Sequence, residues 1–380
     1  MKVTVAIDSF KGSMSTMQIG NAVADGIRKA YPTAEIYVSP VADGGEGTLE
    51  AFLSCGGTPI YAEVTGPLGK RISAEYGVLN RSGTAVIEMS AAAGITLISE
   101  EERNPLHTTT YGVGEMILHA IANGYRKFII GIGGSATNDG GVGMLQALGV
   151  DFLDENGTPI PFGAKGLESL KVISVANMNP ILKECEFHIA CDVKNPLCGE
   201  NGCSRVYGPQ KGATDEMIFE MDAWLKNYAR LTQMIFSLAD PTFPGAGAAG
   251  GMGFAFHTFL NAKLSPGIDL VIKETNLQEN IKTSDIVITG EGRMDEQTGM
   301  GKAPVGIAAI AKKYGKPVIA FCGSATTRAK ECNNHGIDAY FPVLQSVCTL
   351  EQAMDEKTAY QNAATTAEQV FRLIHTMDEK

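Results

Sequence analysis

The chain opens on a short continuous apolar run, Lys2–Ile7, of the kind that fills a strand buried on both faces. It breaks at Asp8-Ser9-Phe10-Lys11-Gly12-Ser13. Ser15 and Gln18 then make a capping-box pattern, and Met17, Val23, Ile27 and Ala30 recur at helical spacing down to Pro32. Glu35–Val38 predicts a second strand, followed by Ala42-Asp43-Gly44-Gly45-Glu46-Gly47-Thr48 and a short helix, Leu49–Ser54. Near residue 60 the texture changes. Ile60–Thr65, Arg71–Leu79 and Thr84–Met89 alternate like strands and are parted by Gly-Pro and Asn-Arg-Ser-Gly turns, which are antiparallel connections. A helix over Thr108–Ala122, a strand at Lys127–Ile132, a hairpin at Val150–Ile160 and a strand at Phe187–Cys191 follow. Next come a long helix, Ala213–Ser237, and a shorter one, Phe254–Ala262. From Ser265 the strand–helix rhythm returns: helical Leu270–Lys282, strand Asp285–Thr289, helix Ala303–Tyr314, and strands Val318–Phe321 and Ala339–Val343. The last helix carries Ala363, Ala367, Val370, Phe371 and Ile374 on one face.

This pattern is α/β. Five strands from the two ends of the chain can form one doubly wound parallel sheet, residues 1–60 plus 265–380. Residues 61–264 are then a second α/β domain inserted between its second and third strands, and 380 residues suit two domains. Doubly wound sheets bind ligands beyond the carboxyl ends of their strands. Asp8 with Lys11, Asp43 with Glu46, and Glu291 with Arg293 fall at three such ends.

Composition narrows the partners. The net charge of −11 argues against broad binding to nucleic acid or an anionic membrane. The eight cysteines include no C-x-x-C pair, so reduced thiols are expected rather than structural zinc. No stretch is long enough for a membrane span, and the apolar run before Asp8 is too short for a signal peptide, so a cytoplasmic protein is expected.

One stretch carries more chemistry than the rest. Gly131–Gly143, GIGGSATNDGGVG, holds six glycines together with Ser135, Thr137, Asn138 and Asp139, between a strand and a helical pattern. A strand, a glycine loop and a helix start can cradle an anion. Gly131–Ala136 also fits the dinucleotide pattern G-x-G-x-x-A, and Gly245–Gly250 fits G-x-G-x-x-G, although the second follows a proline-rich loop rather than a strand. A P-loop is excluded because no G-K-[ST] occurs. Tight turns and close helix packing explain such glycines equally well.

Strand-end carboxylates suit phosphoryl transfer. That chemistry needs a cation on the phosphate oxygens, an orienting base for the attacking hydroxyl, and positive charge on the transferring group. Asp8, Asp43, Asp192 and Glu291 are candidates, although each alone can be a cap or a loop-closing acceptor. Lys11, Lys211 and Lys302 each adjoin a glycine, where a flexible ammonium reaches a carboxylate or a phosphate.

Seven segments together resemble the bacterial type-I glycerate kinases, the glycerate 2-kinase family. They are Asp8-Ser9-Phe10-Lys11-Gly12, Ala42–Thr48, Gly131–Gly141, Cys191–Leu197, Gly208-Pro209-Gln210-Lys211-Gly212, Gly245–Gly251 and Thr289-Gly290-Glu291-Gly292-Arg293-Met294-Asp295. The likeness runs in order from residue 1 to about 325. It departs at Thr110, where serine is expected before Tyr-Gly-Val-Gly, but the hydroxyl is kept.

The resemblance implies transfer of the ATP γ-phosphoryl to a hydroxyl of D-glycerate with Mg2+, giving 2-phosphoglycerate, with 3-phosphoglycerate the alternative product. It implies a flavodoxin-like domain interrupted by an inserted α/β domain, with the site between them. The expected assignment follows. Gly133, Gly134, Ser135, Thr137, Asn138, Lys211, Gly247 and Gly250 hold nucleotide phosphates; Asp43, Glu46 and Glu291 hold magnesium. Asp192 or Asp8 orients and deprotonates the hydroxyl, and Lys11 and Arg293 bind the glycerate carboxylate or the phosphoryl group. The partners are small molecules, and a homo-oligomer is compatible with the sequence. Two rival readings are a nicotinamide-dependent oxidoreductase using the glycine fingerprints and a non-catalytic two-domain binder of small acids.

Overall fold

Successive residues of the strand Ile286–Met294 face opposite sides of a five-stranded parallel sheet. Ile286 and Ile288 pack with Val3, Val5, Val23, Ile27 and Phe371 on one face. Val287 packs with Ile281, Ile307 and Ala308 on the other. A strand buried on both sides needs this near-continuous apolar run, and helices must cover both faces. Thr16–Ala30 and Glu356–Asp378 cover the first face, and Leu277–Thr283 and Ala303–Lys313 the second. The sheet order is Glu35–Val38, Lys2–Val5, Ile286–Met294, Val318–Ala325, Ala339–Pro342, all parallel, which is the flavodoxin-like order 2-1-3-4-5 counted within this sheet.

The computed structural model describes residues 1–41, 47–54, 56–296, 298–300 and 303–378. The chain forms two compact units. Unit 1 comprises Met1–Asp43, Glu50–Cys55 and Ile268–Lys380 and holds the sheet just described; unit 2 comprises Gly44–Leu49 and Gly56–Gly267. Asp43, Glu46 and Lys302 lie outside the described residues.

Unit 2 has a six-stranded mixed sheet. Gly57–Thr65, Arg71–Leu79 and Thr84–Glu88 form an antiparallel meander. Thr84–Glu88 then pairs in parallel with Lys127–Gly131, the two joined through the helix Tyr111–Ala122. Glu186–Ala190 and Lys263–Ser265 extend the sheet in parallel. One apolar core fills the unit, with Phe128, Ile130, Phe187, Ile189, Phe254 and Phe256 among its fully or nearly fully buried members.

Several expectations shift. Val150–Ile160 does turn back on itself, with Ile160 N donating to the Phe152 carbonyl at 3.0 Å and Asp154 N to the Thr158 carbonyl at 2.9 Å, but Asp151–Leu153 also pairs antiparallel with Val172–Ser174. Leu270–Lys282 divides into Gly267–Glu274 and Leu277–Thr283. The helix predicted at Phe254 begins at Ala248 and passes through a left-handed kink at Ala249, Gly250 and Gly251. Among the described residues no helix is long and apolar enough to cross a membrane. The seven described cysteines are all free thiols.

Candidate active site

Beyond the end of Lys2–Val5 the chain stays alongside its neighbour. Asp8 N donates to the Gly290 carbonyl at 2.9 Å. Gly290 itself has φ +153°, and a Cβ there would come within 1.8 Å of the Phe321 carbonyl oxygen, so only glycine lets Ile286–Met294 close up against its other neighbour, Val318–Ala325. Here lies a cavity of about 480 Å³ in unit 1, lined in part by Asp8, Ser9, Lys11, Glu291, Arg293 and Asp295. Four residues expected to carry the chemistry, Asp8, Lys11, Glu291 and Arg293, thus line one cavity. Asp8 follows Lys2–Val5 and Glu291 lies in the carboxyl half of Ile286–Met294, the two strands at which the sheet order reverses and such folds bind ligands.

The acids are fixed in place. Asp8 is 9% exposed and its Oδ1 accepts from Ser9 N at 2.8 Å. Glu291 is nearly buried, and its Oε1 accepts from Thr298 Oγ1 at 2.5 Å; that hydroxyl in turn accepts from Asp295 N at 3.0 Å. Burial pushes the Cys322 thiol up to about 12, and the Glu291 charge beside it adds to the shift. Lys11 and Arg293 reach solvent.

In unit 2 the glycine loop is built around its own anion. Asp139 is buried. It accepts from Thr110 N at 2.9 Å, Thr110 Oγ1 at 2.8 Å, Gly141 N at 3.0 Å and Gly143 N at 3.3 Å. Met144 N donates to Thr110 Oγ1 at 2.9 Å. The start of the helix Val142–Ala147, expected to receive a phosphate, is therefore filled by Asp139 and Thr110. Lys211 enters from the other side, 2% exposed, with Nζ donating to Ser135 Oγ at 2.8 Å and to the Thr137 carbonyl at 2.6 Å. Burial lowers the Lys211 ammonium to about 8.

The solved and curated relatives decide the family. The model of the glycerate kinase family matches residues 3–375. The chain belongs to the glycerate kinase family. Its relatives include the glycerate 2-kinase of Escherichia coli K12, 48% identical over 95% of each chain, and a glycerate kinase of Halalkalibacterium halodurans, 45% identical over 93% of each. A solved structure from Salmonella typhimurium LT2, described provisionally as glycerate kinase 2, superposes with a TM-score of 0.90 at 44% identity over the full length of both chains.

Within unit 2 the expected phosphate-binding residues separate by exposure. Gly133 and Gly134 reach solvent, whereas Ser135, Thr137 and Asn138 are buried. Ala136 N is committed to the Ala93 carbonyl at 2.9 Å. Asn138 Nδ2 donates to Ser204 Oγ at 2.8 Å. Gly247 and Gly250 are glycine because protein backbone crowds them: a Cβ would sit 2.2 Å from the Pro196 and Thr137 carbonyl oxygens respectively. Asp192, at the end of Glu186–Ala190, is exposed, and its Oδ1 accepts from Gly267 N at 3.2 Å. Ser13, Ser324 and Asn362 also line the unit 1 cavity and were not anticipated. Ser324 lies at the carboxyl end of the strand Val318–Ala325, where the carboxyl-end rule finds it. Asn362 lies inside a helical stripe and gives no sequence signal.

Proposed function

We propose that this chain transfers the γ-phosphoryl group of ATP to a hydroxyl of D-glycerate and releases 2-phosphoglycerate. The observation that carries this reading is the gathering of two carboxylates, an ammonium and a guanidinium, Asp8, Glu291, Lys11 and Arg293, on one 480 Å³ cavity at the sheet's switch point. The name of the Escherichia coli relative, glycerate 2-kinase, supports the choice of hydroxyl.

Arg293 and Lys11 meet the anionic groups, the transferring phosphoryl and the glycerate carboxylate. A guanidinium suits two phosphate oxygens at once, and a lysine suits a single charge. Asp8, held by Ser9 N, orients the acceptor hydroxyl and takes its proton; Asp192 is the second candidate for that role. In unit 2 the turn Gly133–Gly134, expected to meet phosphate, reaches solvent, and Lys211 holds the loop that follows it through Ser135 and Thr137.

Magnesium fits the donor set. It takes hard oxygen ligands, few of them from protein, with water and phosphate oxygens completing the shell. Among the described residues no group of three or more ligating side chains exists, and Glu291 with Asp8 supplies carboxylate oxygens in one cavity. Glu291 would hold the ion, together with the expected Asp43 and Glu46. The ion, when bound, neutralises charge on the phosphate oxygens.

Phosphorus NMR of the full chain with ATP, magnesium and D-glycerate tests the reading. The expected products are ADP and the 2-phosphoglycerate resonance. A 3-phosphoglycerate signal overturns the position, and no transfer overturns the activity.

A further inference from the structure

The unit 1 cavity also has an apolar part to its lining, Val343, Leu344, Leu350 and Met354. Leu344 and Leu350 are 40% and 78% exposed, and Val347 between them is fully exposed. Large apolar side chains set around a concave mouth mark a surface that a ligand covers.

This wall is built rather than loose. Thr349 caps the helix Leu350–Met354: its Oγ1 accepts from Gln352 N at 3.3 Å, and its N–H donates to Gln352 Oε1 at 3.1 Å. The next helix is tied to the first helix of the chain. Gln18 Nε2 donates to Glu356 Oε1 at 2.9 Å, and Tyr360 Oη donates to Asp25 Oδ2 at 2.7 Å. Met354 lies over Gly12, where a Cβ would come within 2.8 Å of Met354 Cε. The apolar part is thereby fixed beside the turn that carries Lys11.

A ligand for the whole lining must join a weakly polar group to an anionic one. Glycerate cannot do so, because each of its carbons carries oxygen. A nucleotide can, and a cavity of this size falls within the range of about 300–1,000 Å³ that takes ligands of that class. We infer that the apolar part, from Val343 to Met354, seats the adenine nucleoside, with its phosphates directed toward Lys11 and Arg293. The inference rests on the kinase reading and adds where the nucleotide binds. Asn362, which lines the same cavity, offers the donor–acceptor amide pair that matches an adenine edge.

The test is equilibrium binding of ADP, inorganic tripolyphosphate and D-glycerate to the full chain and to Ala353→Trp, which fills the apolar part. The Kd for ADP is expected to rise at least about tenfold, while tripolyphosphate and D-glycerate bind as before. Unchanged ADP affinity, a parallel loss of all three ligands, or no ADP binding by the native chain overturns the inference. If Ala353→Trp does not fold, Asn362→Ala replaces it. It is expected to weaken ADP and spare tripolyphosphate, and equal ADP affinity again overturns the seat. A native chain that binds ADP in this way but transfers nothing to D-glycerate keeps the nucleoside seat and removes the acceptor.

Discussion

The hydroxyl of Thr110 joins the glycine loop to the helix behind it, and its removal is the sharpest test of how that loop is held. Thr110→Val keeps the shape but deletes the donor to Asp139 Oδ2 and the acceptor for Met144 N. A hydrogen bond to a charged group and a buried N–H left unpaired together cost roughly 3–5 kcal/mol. Thr110→Ser keeps both bonds and loses one buried methyl, about 1 kcal/mol. The two variants should therefore differ by about 2–4 kcal/mol. Trp224, the sole tryptophan, sits half-buried in the helix Asp215–Gln233 of unit 2, so its fluorescence reports the unit concerned. At ordinary urea dependence the midpoints should separate by about 1 M or more. Coincident midpoints for the two variants would refute the argument that the hydroxyl, rather than the side-chain shape, holds the loop.

Lys211 gives a signed pH effect. Its folded value of about 8 lies below the ordinary 10.5 because burial disfavours the ammonium. Between these values the unfolded chain holds a proton that the folded chain lacks, so stability rises with pH by up to about 1.4 kcal/mol per unit. Urea titrations of Lys211→Met should lack that slope; a slope equal to wild type removes the assignment. Gly250→Ala, at φ +67° against the Thr137 carbonyl, should lower the stability of unit 2 by more than about 2 kcal/mol. A normal urea midpoint with weakened ATP binding would instead make Gly250 a phosphate contact. Arg293→Ala should lower kcat/KM for glycerate phosphorylation by about a hundredfold or more in a coupled ADP assay, and an unchanged value removes it from the site. Asp8→Asn should lose about a hundredfold in kcat with ATP affinity kept. A larger loss in Asp192→Asn would transfer the role to Asp192.

The carboxyl-end rule made Asp8, Lys11, Glu291 and Arg293 legible, because a parallel strand exposes the residue after its last apolar position wherever the chain goes next. Asp139 was not legible in its present role. An acid among glycines looks the same in sequence whether it greets a ligand or serves as the loop's internal anion. Lys211 misleads in the opposite sense, since lysine is seldom buried, and only the fold brings Ser135 and Thr137 to its ammonium. The strands Val172–Ser174 and Lys263–Ser265 are three residues each, too short for alternation to register. The kink at Ala249–Gly251 is set by the approach of Thr137, a contact between residues more than a hundred positions apart. The apolar wall at Leu350–Met354 belongs to no amphipathic pattern, because its apolar residues face a cavity rather than the core.

The interrupted course of unit 1 has a consequence for synthesis. The strand Lys2–Val5 is made well before Ile286–Met294 and can pair early with Glu35–Val38, but that other neighbour comes only after the whole of Gly56–Gly267 has been made. Closing so long a loop is slow and leaves an apolar strand edge unpaired meanwhile. The continuous part of unit 2 is complete before that partner exists. Its early folding brings residues 56 and 267 to fixed positions and shortens the loop that unit 1 has to close. The inserted segment is thus a splint for the later assembly of the sheet that surrounds it in sequence, and variants that slow the folding of unit 2 will lower the yield of both.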